Sequence, residues 1–193
     1  MRYLAILVVS ACLSATMAQS QSVEERHAAR LVEDMASEVF RAVRGGSQEQ
    51  RETRLISVIE NFVDVDAVSM AALGPIWDEL TPSQRRDFTR IYVEMMAKQY
   101  ALLLNGGGSE RYQMKDTFKL SGGLIRVRGE VTAGDETVPV GFIVADGFNA
   151  GIRNLILNDV ALVDQDRQLF EVSWVAAGGS YAAFAEAIQT DIE

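Results

Sequence analysis

Leu124-Ile125-Arg126-Val127-Arg128-Gly129, followed after a turn by Val138-Pro139-Val140-Gly141-Phe142-Ile143-Val144, decides the fold. In the first run Leu124, Arg126 and Arg128 alternate with Ile125, Val127 and Gly129. In the second, Val138, Val140, Phe142 and Val144 alternate with Pro139, Gly141 and Ile143. A period of two belongs to a strand with one face buried, and Ala133-Gly134-Asp135 between the runs supplies the hairpin turn. Ser121-Gly122-Gly123 marks the preceding turn. With Tyr112 to Leu120 before it and Ile152 to Val163 after, the region reads as an antiparallel sheet of about four strands.

Upstream of Gly108 the period is that of a helix. Ala28, Leu31, Val32, Met35, Val39 and Val43 recur at three and four, and Gly45-Gly46 closes the segment where a left-handed cap is wanted. Ser47 and Gln50 form a capping box ahead of Leu55, Ile56, Ile59 and Phe62. Asp64 to Leu73 reads as a short third helix stopped by Gly74-Pro75. Thr81-Pro82-Ser83-Gln84 opens a long one carrying Phe88, Ile91, Tyr92, Met95, Met96, Gln99 and Leu103 as far as Gly106-Gly107-Gly108. The C-terminal part returns to helix, with Leu169, Phe170 and Trp174, a break at Gly178-Gly179, then Phe184 and Ile188. Helices, consecutive strands and helices again describe an α+β chain whose sheet needs a helical layer over one face.

Composition narrows the chemistry. The 193 residues are 48% apolar and 23% charged, which is ordinary globular material rather than a disordered tract. A formal charge of −9 argues against a nucleic-acid partner or a standing contact with an anionic membrane surface. His27 is the single histidine and Cys12 the single cysteine, so a site with several imidazole ligands cannot be built and no disulfide can form within the chain.

The N-terminus reads as a signal peptide over residues 1–18. Arg2 is the positive end, Tyr3 to Val9 the apolar stretch, and Ala15-Thr16-Met17-Ala18 a cleavage-like close ahead of polar Gln19-Ser20-Gln21-Ser22. A buried first helix is the bland alternative. A lipoprotein is the third reading, since Val9-Ser10-Ala11-Cys12 has lipobox-like residues, although only eleven residues precede the cysteine. Export leaves residues 19–193 as one domain of charge near −10 without a cysteine. No later stretch reaches the ~18 apolar residues that a membrane span needs.

Catalytic motifs are absent from the sequence. Gly106-Gly107-Gly108 lacks the Lys and Ser of a phosphate loop, and neither GxGxxG nor GxSxG occurs. Asp64 and Asp66 are better helix-capping acids than a metal fragment, His27 sits in a charged surface stretch, and Arg126 and Arg128 share the solvated face of a strand. No cofactor and no metal is expected. What stands out is a supply of soft apolar side chains: Met35, Met70, Met95 and Met96 with Tyr92, Tyr100, Phe142, Phe170 and Trp174. They serve either as plain core or as the wall of an adaptable lipid-sized cavity.

Between Phe62 and Tyr100 the sequence resembles a known family. Phe62-Val63-Asp64-Val65-Asp66-Ala67, Leu73-Gly74, Trp77, Leu80-Thr81-Pro82, Gln84-Arg85, Phe88 and Tyr100 are similar to the signature of the MlaC family, the periplasmic phospholipid-binding component of the Mla ABC transport system. Val138-Pro139-Val140, Val160, Leu162-Val163, Arg167 and Phe170 agree with its later blocks. Three places depart from the pattern: Gln165-Asp166 stand where Asn-Tyr is common, Asp159 where Gly is usual, and a strand tryptophan is missing near Ala150. These leave the lipid species and the surface shown to partners open.

The resemblance implies a nuclear-transport-factor-like roll, a curved sheet covered by N-terminal and C-terminal helices, that holds lipid tails between sheet and helices. It implies a non-enzymatic carrier, with an outer-membrane lipoprotein–porin complex and an inner-membrane ABC transporter bearing an MCE-domain ring as partners. By pattern, the inward candidates for the lipid wall are Met70, Leu73, Ile91, Met95, Leu103, Val127, Val140, Phe142, Leu155, Leu157, Phe170 and Trp174. A hopanoid carrier, a ligand-free periplasmic adaptor and an exported enzyme on the same roll are the alternatives. The inward strand positions offer the enzyme no convergent Asp, Glu or Tyr pair.

Overall fold

The computed structural model describes residues 21–104, 110–147 and 151–190. The signal-peptide reading of residues 1–18, Cys12 and the glycine triplet 106–108 lie outside the described residues. Helices α1 (Val23–Val43), α2 (Gln48–Phe62), α3 (Val65–Leu73), α4 (Ile76–Glu79) and α5 (Pro82–Leu103) precede strands β1 (Arg111–Leu120), β2 (Leu124–Ala133), β3 (Glu136–Ala145), β4 (Ile152–Leu157) and β5 (Val160–Ala161). Helices α6 (Leu162–Ala176) and α7 (Tyr181–Thr190) follow.

Local chemistry sets the helix starts. Ser22, Ser47 and Thr81 each accept from the backbone N–H three residues on, while Glu25, Gln50 and Gln84 reach back to the cap N–H, so α1, α2 and α5 all open on complete capping boxes. Asp64 caps α3 by accepting from the Ala67 N–H. Gly74 ends that helix at φ 54°, and a β-carbon there would meet the Arg167 side chain at 3.3 Å. Arg167 uses the space to donate through Nε and Nη2 to the Ala71 carbonyl at 2.8 and 2.7 Å, tying α6 to the end of α3.

The strands form one antiparallel sheet in the order β1-β2-β3-β4-β5. Val127 lies opposite Phe142, and Phe142 opposite Leu155, so alternate residues of three strands share the inner face. The sheet has five strands rather than about four, and the stretch read as strand to Val163 is divided. Asn158 and Asp159, at φ 49° and 64°, make a tight turn into the two-residue β5, and Leu162-Val163 already belong to α6.

Helix α1 lies across β1, β2 and β3 and also contacts α2, so its two ends serve different layers. Ala28 and Val32 join Ile125, Val127, Val140, Phe142, Val144 and Ile152 in a cluster on the sheet. Ala42 and Val43 join a second cluster built from α2, α3, α5, α6 and α7 around Phe88, Tyr92, Phe170 and Phe184, all at most 1% exposed. Phe170 stands edge-on to Phe88, Tyr92 and Phe184 at 5.3, 5.4 and 6.1 Å. Burial of each such ring contributes about 2 kcal/mol.

Candidate functional site

Two apolar clusters face each other, and Met35, Phe62 and Val63 pack against both. These three mark the seam between the sheet layer and the helical layer. Val63 also makes a parallel bridge to Ile152, and the Asp64 N–H donates to the Ile152 carbonyl at 3.0 Å. Asp64 Oδ2 then accepts from Arg153 Nε at 3.1 Å, so one residue both caps α3 and pins the α2–α3 junction to β4. The junction is close-built, because a β-carbon on Gly151 would stand 3.0 Å from Asp64 Cβ.

The candidates drawn from the pattern divide between these clusters. Leu73, Ile91, Met95 and Phe170 are buried in the helical cluster, with Trp174 against it, edge-on to Phe184 at 5.5 Å. Val127, Val140 and Phe142 are buried in the sheet cluster, and Leu155 and Leu157 pack against it. Met70 and Leu103 are not inward: they are 51% and 69% exposed. In the nine-residue α3 the buried face is Val68, Ser69, Ala72 and Leu73, which turns Met70 to solvent, and Leu103 is the last residue of α5. Phe62 and Val63 were not among the candidates although both stand in the motif that carried the resemblance. Phe62 continues the apolar spacing of Leu55, Ile56 and Ile59, which does not set it apart from plain core, and Val63 lies just past the helix end, where the period breaks. Met35 shows the regular spacing of the first helix, which does not tell a seam residue from a core one.

Open recesses adjoin this core. Between α1 and α2 a groove of about 560 Å³ is lined by Glu38, Arg41, Ala42, Arg54, Ser57, Val58, Asn61 and Phe62. On the outer face of the sheet a recess of about 270 Å³ lies over Gly141, walled by Arg126, Arg128, Ile156 and Asp159. There Arg128 donates to Asp116 Oδ1 at 2.7 Å and stacks 4.5 Å over the Phe118 ring, as suits a solvated strand face. His27 is exposed on α1.

One polar link crosses the helical cluster. The Tyr92 hydroxyl donates to Asp166 Oδ2 at 2.5 Å, joining α5 to α6 at a position where the chain departs from the family pattern. Burial raises the Asp166 carboxyl above the usual carboxylate range despite the hydrogen bond from Tyr92, and burial beside that carboxylate raises the Tyr92 phenol as well. Among the described residues no group of three or more His, Cys, Asp or Glu side chains is placed to hold a metal ion. Among them, too, no helix is long and apolar enough to cross a membrane.

The fold has a solved counterpart in the phospholipid-binding protein from Ralstonia solanacearum, determined in complex with a phospholipid. It is 15% identical to this chain, with a TM-score of 0.74 over 86% of this chain and 96% of that one. No curated protein matches the sequence. The MlaC protein family matches residues 25–179, from the first turn of α1 to the break between α6 and α7. A match of that extent, on a chain with this roll and this division of the core, places it in the MlaC family.

Proposed function

We propose that this chain is a periplasmic phospholipid carrier. Residues 1–18 direct its export and residues 19–193 form the lipid-binding domain. It takes a lipid between an outer-membrane lipoprotein–porin complex and an inner-membrane MCE-domain ABC transporter, with the tails held between sheet and helices. The observation that carries this reading is the seam at Met35, Phe62 and Val63, where two separately buried apolar clusters meet in an MlaC-family chain. The phospholipid in the Ralstonia solanacearum protein of the same fold supports the choice of ligand.

The physics of the cargo fits. A phospholipid with two tails carries about 30 methylenes, and at ~0.8 kcal/mol each their exposure would cost on the order of 20 kcal/mol. A carrier must replace nearly all of that contact with its own apolar surface, and must do so without binding so tightly that release stops. Transfer is then close to thermoneutral, and direction comes from partners. The charge of −9 keeps the chain from lingering on anionic lipid and favours docking on complementary partner surfaces.

Native mass spectrometry with organic extraction, on protein taken from a bacterial periplasm without detergent, tests the reading. A stoichiometric adduct of roughly 700 Da that extracts as phospholipid is expected, that being the mass of ~30 methylenes plus a headgroup. A smaller polycyclic adduct redirects the cargo to a hopanoid. An empty mass, in protein that takes up no lipid from vesicles, leaves the adaptor or the enzyme.

A further inference from the structure

We infer that the groove between α1 and α2 is the mouth by which a phospholipid enters the seam, with the phosphate held at its rim and Phe62 as the stopper. This rests on the carrier reading. Phe62 is the residue that lines the groove and also packs against both apolar clusters, so one half-buried ring separates an open recess from the seam. The groove measures about 560 Å³, within the range of about 300–1,000 Å³ usual for small-ligand sites. Ala42, Val58 and Phe62 give it an apolar floor, continuous with the helical cluster to which all three belong or attach.

The rim has the complementary charge. Two guanidiniums, Arg41 and Arg54, face one carboxylate, Glu38, in a chain whose net charge is −9. Arg54 is committed to the end of α1: Nε donates to the Ala42 carbonyl at 2.7 Å and Nη2 to the Gly45 carbonyl at 2.8 Å. Arg41 is not so committed. It donates through Nη1 to Glu38 Oε1 at 2.6 Å, and its side chain is 69% exposed. Its remaining N–H groups are available to a phosphodiester, whose single negative charge matches the net +1 of the rim. An apolar floor under a singly cationic rim is the pattern of an amphiphile with a phosphate at its polar end. Turning the Phe62 ring aside would connect the groove to the seam while leaving the fully buried members of either cluster in place.

The test uses two near-isosteric changes in the exported domain, residues 19–193, which holds no other cysteine, so that each introduced thiol stands alone. Ser57→Cys lies in the groove, and Ser121→Cys lies in the β1–β2 turn away from it; both positions are exposed. Uptake of fluorescent phosphatidylglycerol from vesicles is followed before and after modification with a polyethylene glycol maleimide. The expected result is at least a tenfold slowing on modification of the Ser57→Cys chain, with none for Ser121→Cys. Equal uptake by the modified and unmodified Ser57→Cys chain overturns the mouth and leaves the carrier standing. Absence of uptake in the unmodified chains overturns the carrier reading and the mouth with it. Arg41→Gln provides the second readout: preference for phosphatidylglycerol over uncharged diacylglycerol should fall several-fold, and an unchanged preference removes the phosphate from the rim.

Discussion

Removal of a single oxygen, in Tyr92→Phe, isolates the polar link inside the helical cluster. The ring stays, so its stacking on Phe88 at 5.6 Å and its edge contact with Phe170 at 5.4 Å are kept and no cavity opens. What is lost is the hydroxyl that donates to Asp166 at 2.5 Å. A hydrogen bond to a charged group contributes about 1.5–3 kcal/mol, so a loss of about 2 kcal/mol is expected while Asp166 is ionised. With a urea slope of about 2 kcal/mol per molar, the unfolding midpoint should move down by roughly 1 M at about pH 8. The sign of the pH dependence follows from Asp166. Its carboxyl is raised in the folded state, so the folded chain takes up the proton first. This group's contribution to stability therefore improves as pH falls through its raised titration and levels off below the ordinary carboxylate value of about 3.9. In the variant the carboxylate has no donor from Tyr92 and rises further. The gap between parent and variant is widest above the Asp166 titration and narrows to about 1 kcal/mol, the worth of a neutral hydrogen bond, in acid. Other titrating groups are common to both chains and cancel. An equal gap at both pH extremes, or none at pH 8, refutes the reasoning, and an Asp166→Asn background should abolish the pH dependence of the gap.

Phe170→Ala, at a fully buried ring with three edge contacts, should cost about 3–5 kcal/mol by urea unfolding; a loss under about 1.5 kcal/mol would mean the cluster is not packed around it. Asp64→Ala removes both the α3 cap and the Arg153 pair and should cost about 1–2 kcal/mol, whereas Asp64→Asn keeps the cap and should cost well under 1. Gly129→Ala drives a β-carbon into the Tyr112 ring and should cost about 1–3 kcal/mol. Adding Tyr112→Ala should return part of that loss, and a double-mutant cycle with no coupling would refute the contact.

The parts of the fold legible in the sequence are those fixed within a few residues. Capping boxes at Ser47 and Thr81 announce α2 and α5 because both partners of each cap lie within four positions. The alternation over Ile125–Val144 announces the sheet because one face is buried and the other is not. The start of α6 was not legible: Ala161 at its N-cap offers no side-chain acceptor, and Leu162-Val163 continue the apolar run of the strand before it. Four-residue α4 has no side-chain cap either. Of the candidate site, the spacing made legible which residues turn inward, Met70 and Leu103 excepted, and not how they are arranged. Within one element, an apolar residue that fills a core and one that lines a cavity obey the same periodicity, so the spacing of α1 does not tell Met35, which packs against both clusters, from Val32, which is buried in one.

That division bears on how a carrier could open. Each cluster keeps its own fully buried members, Phe88, Phe170 and Phe184 in one and Ile125, Val127 and Val144 in the other. Parting the layers therefore exposes chiefly the seam side chains Met35, Phe62 and Val63, which are only half-buried when closed. Full burial of such side chains contributes about 1.5–3 kcal/mol each, so unseating three that are half-buried costs about 2–5 kcal/mol. Two lipid tails seated in the seam cover those side chains again, so the opening cost is recovered on loading while transfer from a bilayer stays close to thermoneutral. A core whose central rings spanned both layers would lose full burial at each of them on opening, and the same tails would have to unfold it to enter. Two clusters joined at a thin seam allow the empty chain to close without exposing its pocket and the loaded chain to open without melting either layer.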